Sequence, residues 1–470
     1  MAKWRHLVVV LPGIGGSVLA RPGDPDDVVW DAGKGGIADL VVRPGRMSVE
    51  ESPRLVPVGL TESTKFLGFT VVPGYERLLT RLESQGRVDR CGDPRHPVLG
   101  ADVVVVPYDF RRSIVEAAER VDAVVCAYLA GYSQAERARR VIVVGHSMGG
   151  LVARVWMGLL GRWPWCRGLI TLGTPHRGAP KALDWLVNGV RVLGCALSRP
   201  TALLRGWPAV AELLPRYQAV WDTTARAKRY PYELPIPALA RAAKTAYDLH
   251  IQIEKCWQQM PRGGPGMVAC LGWSHPTPDA AFWDGRCLRV TKEGPGWLEL
   301  DRNWRRDFGD GTVPAFSAWP IELDGQPQGP GRLTERHVPM ACSPWIMELL
   351  GRYEGWPGIS HVRGEEREPA IGLDLDEVHT AGEPITVKAM LREVDAEVSG
   401  QGVWAQLRPH GNQITVPVEV RLEWDGGQGC FRGALPGQRE GLYDVEVLAQ
   451  QVPDAGDLSS GDTIAVVAGE

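Results

Sequence analysis

The sequence predicts an α/β fold: a largely parallel sheet with helices on both faces, interrupted by two insertions and followed by an all-β, immunoglobulin-like sandwich. Three observations carry this. Short runs of Val, Ile and Leu recur, each leading into a glycine-bearing loop, as strands buried on both faces do. Helical patterns lie between them, so that strand alternates with helix. After residues 355–368, "GWPGISHVRGEERE", helical periodicity stops and short alternating runs take over.

The first apolar run is "HLVVVLPGIGG" (6–16). Residues 20–72, with "RPGDPDD" and "VVRPGRMSVEESPRLVPVG", read as a loop-like insertion at the end of that strand and a candidate lid. "GYERLLTRLESQG" (74–86) is helical, "ADVVVVPYDFRRS" (101–113) a strand, and "SIVEAAERVDAVVCAYLAGY" (113–132) a helix. "RRVIVVGHSMGG" (139–150), "GLITLGTPHRGAP" (168–180) and "GMVACLGWSHPTP" (266–278) supply further strands. Between the last two, residues 181–262 read as several amphipathic helices forming a cap: "KALDWLVNGVRVLG", "TALLRGWPAVAELLPRYQAVW" and "PALARAAKTAYDLHIQIEKCWQQM". Residues 1–360 would thus form one domain. Residues 369–470, with six or seven short strands such as "PITVKAMLREV" and "ITVPVEVRLEW", would form the sandwich.

Composition bounds the class. The 470 residues suffice for two or three domains, and 44% hydrophobic with 23% charged residues is ordinary for a globular chain. A net charge of -4 gives no reason to expect a nucleic-acid partner. The nine cysteines form no CxxC or Cys/His cluster and are odd in number, which argues against a zinc site and a disulfide framework. The amino terminus leads straight into a strand, and no stretch approaches the roughly 18 apolar residues of a membrane span. The expectation is a cytoplasmic protein. Only nine of the 52 basic residues are lysine, a bias pointing to a GC-rich, bacterial coding sequence.

"VIVVGHSMGGLVARVW" (141–156) places Ser147 between an apolar strand and a helix. That order is the nucleophile-elbow arrangement, with Gly145 and Gly149 flanking His146, Ser147 and Met148. The plainer alternative is a serine that caps the helix. A reactive serine needs a base, and the base an orienting acid, in the order Ser, Asp or Glu, His. "RRDFGDGTVPAFSA" offers Asp310 in a glycine-flanked loop, and "LTERHVPM" offers His337. Asp301, Asp307 and His361 are alternatives; His250 and His275 precede Asp310 and are disfavoured by order. For the oxyanion, the residue after the nucleophile supplies the Met148 N–H, and "LPGIGGS" supplies the Ile14 N–H. "GIGGSV" lacks the last glycine of a dinucleotide fingerprint, and no phosphate-loop pattern occurs. The site therefore calls for no cofactor and no metal.

"VVVLPGIGGSVL", "VPYDFRRS", "GHSMGGLVAR", "LGTPHRGAP", "GWPAVAELLP" and "GDGTVP" occur in the order seen in the lecithin:cholesterol acyltransferase family, which includes lysosomal phospholipase A2-type enzymes. Over residues 6–350 the chain resembles that family. The resemblance implies an α/β-hydrolase fold, a Ser147–Asp310–His337 triad, an oxyanion hole from Ile14 and Met148, a lid in 20–72 and an acyl-contacting cap around 181–262. The chain is expected to depart from the family's animal members in lacking a secretory signal, and it has no cysteine before Cys91 to clip the lid. The C-terminal sandwich is not part of the core family enzyme.

The expected function is a serine lipid acyl hydrolase or O-acyltransferase, acting on glycerophospholipids as a phospholipase A or acyltransferase. The alternatives are a soluble carboxylesterase or lipase on simple esters, and a non-catalytic scaffold. Among the 18 tryptophans, Trp30, Trp163, Trp165, Trp185, Trp207, Trp221 and Trp257 sit in or beside the insertions. Two explanations stand for them, contact with a lipid surface and aromatic core packing. Partners expected are a lipid ester, a transiently contacted membrane surface and a protein recruited by the sandwich.

Overall fold

A computed structural model describes residues 4–31, 44–52, 54–61, 75–189, 191–192, 195–196, 198–261, 263–292, 294–299, 304, 307–325, 329–356, 367–394, 398–410 and 416–467. Seven strands build the central sheet: β1 (Leu7–Leu11), β2 (Val88–Asp89), β3 (Val103–Val105), β4 (Val141–His146), β5 (Cys166–Leu172), β6 (Gly266–Gly272) and β7 (Gly331–Leu333). Their order is β7-β6-β5-β4-β1-β3-β2, and every pairing is parallel.

The apolar runs follow from that placement. Side chains alternate between faces along a strand. Val9, Val104 and Val143 pack with Ala118, Val121 and Val125 of one helix, whereas Val8, Val10, Val103 and Ile142 pack with Leu78, Leu82 and Leu349 on the opposite face. Both faces are covered, so apolar residues dominate the middle of these strands.

Helix α1 (Glu76–Glu83) buries Leu78, Leu79 and Leu82 at helical spacing. Helix α2 (Ile114–Tyr128) starts at Ser113, whose hydroxyl accepts the Val115 N–H. Helix α3 (Met148–Arg154) follows β4 after a single residue. Helices α4 (Pro180–Asn188) and α5 (Pro237–Gln258) belong to the cap region, and α6 (Trp345–Glu354) closes the face covered by α1.

The insertions differ from their expected form. The described part of 20–72 is not loop-like: Ser17–Arg21, Asp24–Trp30 and Val56–Leu60 form an antiparallel sheet. "RPGD" is the turn between the first two strands, where Gly23 at φ +86° adopts a conformation that side chains disfavour. Asp24–Trp30 lies at the sheet edge, which tolerates Pro25. In the cap, "TALLRGWPAVAELLPRYQAVW" is not one helix. Pro208 opens a new helix, Pro208–Glu212, and the chain then enters a strand, Val220–Asp222. That strand pairs with Ala280–Trp283 in a second, four-stranded sheet.

The C-terminal strands are β8 (Ala370–Asp374), β9 (Val378–Thr380), β10 (Ile385–Arg392), β11 (Val403–Pro409), β12 (Val418–Asp425), β13 (Cys430–Leu435), β14 (Gly441–Val452) and β15 (Gly456–Val467). Strand β12 pairs with β11 over Val418–Leu422 and with β13 over Glu423–Asp425, so it passes from one layer to the other. Ile371, Val387, Val403, Val447 and Ile464, from both layers, share one core, the arrangement of a sandwich.

Candidate active site

Ser147 stands at the carboxyl end of β4 with φ 53° and ψ −126°, a region that costs about 1–3 kcal/mol for a residue bearing a side chain. Its side chain makes no helix-capping hydrogen bond, so the plainer alternative does not describe it. The tight joint requires its glycines. A Cβ on Gly149 would lie 2.5 Å from the carbonyl oxygens of Leu11 and Pro12, and one on Gly145 would lie 2.7 Å from the Gly150 Cα.

The structure brings the three predicted side chains together. His337 Nε2 is 2.9 Å from Ser147 Oγ, and His337 Nδ1 is 2.7 Å from Asp310 Oδ2. The other carboxylate oxygen, Oδ1, accepts the N–H groups of Thr312 (2.9 Å) and Val313 (2.7 Å). Burial by itself would push the Asp310 carboxyl up; the charge and hydrogen bond of His337, with the two backbone donors, hold it below the usual range. An ionised Asp310 accepts a hydrogen bond from the Nδ1–H of His337, which leaves Nε2 to accept the Ser147 O–H. All three side chains are buried.

The alternatives are engaged elsewhere. Asp307 binds Arg332 at 3.1 Å and Arg367 at 2.7 Å. His250 contacts the Glu212 carbonyl at 2.9 Å, and His275 the Thr334 carbonyl at 2.8 Å. Asp301 and His361 lie outside the described residues.

Ile14 lines the same pocket as Gly13, Ser147 and His337. Among the described residues, neither the Ile14 nor the Met148 N–H has a hydrogen-bond acceptor, as donors kept for an oxyanion require. The Ile14 loop is tied down by Tyr75, which sequence reasoning missed, and by His146, which it named only as part of the elbow. Gly13 N–H donates to the Tyr75 hydroxyl at 2.8 Å, that hydroxyl is 3.0 Å from His146 Nδ1, and His146 Nε2 is 2.9 Å from the His337 carbonyl oxygen. The carbonyl can only accept, so His146 carries its proton on Nε2 and Tyr75 donates to Nδ1. Burial, and then the neighbouring His337, pull the His146 pKa down to about 3, which keeps the ring neutral. His146 and Tyr75 thus link the Ile14 loop to the backbone of His337. In Tyr75→Phe, the Gly13 N–H and His146 Nδ1 lose their partners inside the protein. We expect kcat to fall about tenfold and stability by about 1–3 kcal/mol, measured by ester turnover and urea unfolding.

The pocket over Ser147 is lined by Trp185, Lys181 and Ala182 of α4, with Leu213, Pro175 and Val313. Its cavity volume is about 30 Å³, room for one or two waters and far short of an acyl chain. Of the tryptophans singled out, Trp185 reaches this pocket. Trp30, Trp207 and Trp257 are core residues whose indole N–H groups donate to the carbonyls of Gly15, Met47 and Arg154. Among the described residues, no helix is long and apolar enough to cross a membrane, and no group of three or more His, Cys, Asp or Glu is arranged to hold a metal ion.

Four buried histidines, His146, His176, His250 and His275, give the fold a pH dependence, and burial pulls His176 well below the usual imidazole range. Burial, first among the causes, pulls His146 down to about 3 and His250 and His275 down to about 4, against about 6.5 in an unfolded chain. Between those values the unfolded chain binds more protons, so stability is full above about pH 6.5 and falls as the pH drops toward 4. Urea-unfolding midpoints measured from pH 8 to pH 4 are expected to decline through that window.

Residues 111–191, which include Ser147, match the family model described as a PGAP1-like alpha/beta domain. A chain from the crystal structure of the Tle4-Tli4 complex superposes with a TM-score of 0.51 at 15% identity, covering 74% of this chain and 97% of that one. The mature form of the Bacillus licheniformis lipase BlEst2 gives a TM-score of 0.33 at 13% identity, covering 74% and 92%. No curated protein matches significantly. The matched segment and the parallel sheet with Ser147 at its central turn make the fold that of an α/β-hydrolase-type domain followed by a C-terminal all-β region.

Proposed function

We propose that the chain is a serine lipid acyl hydrolase or O-acyltransferase acting on glycerophospholipids. The continuous contact from Ser147 Oγ through His337 to Asp310, at 2.9 and 2.7 Å, is the observation that carries this reading. His337 takes the Ser147 proton as the serine attacks an ester carbonyl, and Asp310 holds the imidazole in the receiving tautomer. The Ile14 and Met148 N–H groups stabilise the tetrahedral intermediates, typically by about 3 kcal/mol per donor. His337 then returns the proton to the leaving alcohol, and the acyl-serine passes its acyl group to water or to a second alcohol.

The finer assignment, to enzymes of the lecithin:cholesterol acyltransferase and lysosomal phospholipase A2 type, rests on the six ordered motifs in residues 6–350. An acyl chain requires more room than the cavity of about 30 Å³ offers, so this reading also requires α4, with Lys181 and Trp185, to move. The small cavity favours a second reading, a carboxylesterase acting on short soluble esters.

Purified protein given mixed phospholipid vesicles, with and without a long-chain alcohol, is expected to release fatty acid and to form a new ester when the alcohol is present. Mass spectrometry of the lipids reads both products. Turnover of short nitrophenyl esters with none of vesicle lipids would replace the lipid reading with the carboxylesterase one.

A further inference from the structure

The C-terminal sandwich reaches the residues beside the base and the acid. Arg336, the residue before His337, is buried, and its guanidinium points into the sandwich. Nη1 donates to the Leu373 carbonyl at 2.9 Å, Nη2 to the Leu375 carbonyl at 3.2 Å, and Nε lies 2.8 Å from Asp462 Oδ2 of β15. A guanidinium held at three nitrogens by three fixed acceptors has one geometry.

The acid's loop is held from the same side. The Leu373 N–H donates to His275 Nδ1 at 3.0 Å, while His275 Nε2 contacts the Thr334 carbonyl at 2.8 Å. His275 is therefore neutral with its proton on Nε2, and its backbone N–H donates to the Gly309 carbonyl at 3.0 Å, one residue before Asp310. The Arg392 guanidinium of β10 stacks over the Phe308 ring at 4.0 Å. Strand β8 sits too close to allow a side chain at Gly372, where a Cβ would lie 2.3 Å from the Ser274 carbonyl oxygen. On the pocket rim, Glu377 binds Lys181 of α4 at 2.6 Å.

We propose that the sandwich is a working part of the active site: Asp462 and the Leu373 and Leu375 carbonyls hold Arg336, and through it they position His337 against Ser147. Arg336 and Asp462 are positioning residues, since neither touches the reacting atoms. The proposal rests on the reading of Ser147, His337 and Asp310 as the catalytic groups. Its physical basis is that proton transfer from Ser147 depends on a 2.9 Å contact, and a displacement of about 1 Å at such a contact can cost about 100-fold in rate. Removing the Asp462 carboxylate leaves a buried guanidinium without its counter-charge, so the segment carrying His337 must shift to hydrate it.

The test compares Asp462→Ala, Asp462→Asn and Lys292→Ala in the full chain. Lys292 also binds the sandwich, through Asp374 at 2.7 Å, but lies on another loop. Readouts are kcat and KM on a soluble nitrophenyl ester, the rate of Ser147 labelling by a fluorophosphonate probe, and circular dichroism. Asp462→Ala is expected to lower kcat and the labelling rate about 10- to 100-fold with KM changed less than about threefold, and Asp462→Asn about tenfold. Lys292→Ala is expected to stay at the wild-type rate. A folded Asp462→Ala within about twofold of wild type overturns the proposal, as does an equal loss in Lys292→Ala, which would mean that domain docking in general sets the rate. If Asp462→Ala does not fold, Asp462→Asn decides by the same criteria. Ser147→Ala separates the two levels: full turnover in that variant overturns the underlying catalytic reading, whereas its inactivity beside wild-type kcat in Asp462→Asn overturns the positioning alone.

Discussion

Ser147→Ala is expected to reduce kcat by roughly 10⁴- to 10⁶-fold and to abolish fluorophosphonate labelling, with the fold intact. The loss is large because the hydroxyl is the only part of the proposed machinery that forms a bond to the substrate. The intact fold follows from what alanine keeps. Its Cβ occupies the same position at φ 53°, so the joint bears the same backbone strain as before. Among the described residues, the one side-chain hydrogen bond lost is that to His337, whose Nε2 faces the pocket and can take a water instead. Thermal melting should therefore move little while turnover disappears. Residual activity near wild type would assign the chemistry to another group and remove the basis for a serine mechanism.

How far the sequence carried these conclusions depended on whether the signal was local. Strand, serine and helix are consecutive, and the apolar runs of β1, β3, β4 and β5 need no partner to be read, because burial on both faces favours Val, Ile and Leu at successive positions. Asp310 and His337 were found by order and by their glycine-bearing or loop contexts. Tyr75 was not, because its role exists only where Gly13 and His146 meet it, and nothing in "VVPGYERLL" encodes that meeting. Arg336 was passed over for the same reason: its partners are Leu373, Leu375 and Asp462, brought near by the sandwich. The sheet in the lid region was hidden because Ser17–Arg21 pairs with Val56–Leu60 across a long insertion. The break in the cap helix was legible in Pro208 and Pro215, and the helical spacing of leucines around them outweighed it. The size of the pocket over Ser147 had no sequence signal, since it depends on how α4, Leu213 and Val313 come together there.

Asp310→Asn is expected to lower kcat by roughly 10⁴-fold with little change in KM, and the reason lies in how the carboxylate is held. Oδ1 accepts two backbone N–H groups, from Thr312 and Val313, so an asparagine must keep its carbonyl oxygen there. Its NH2 group then takes the place of Oδ2, 2.7 Å from His337 Nδ1. An amide nitrogen donates, so Nδ1 has to become the acceptor and the imidazole proton moves to Nε2. In that tautomer Nε2 carries a hydrogen toward Ser147 and can no longer take the hydroxyl proton. The ring stays in place and substrate still binds, so the defect falls on kcat. The variant also loses the negative charge that would stabilise the imidazolium formed during attack. Activity should recover in part at high pH, where hydroxide removes the serine proton without the imidazole, whereas a variant that had lost its geometry would gain nothing. A pH–rate profile of Asp310→Asn extending above pH 9 distinguishes the two, and a wild-type kcat at neutral pH would remove Asp310 from the mechanism.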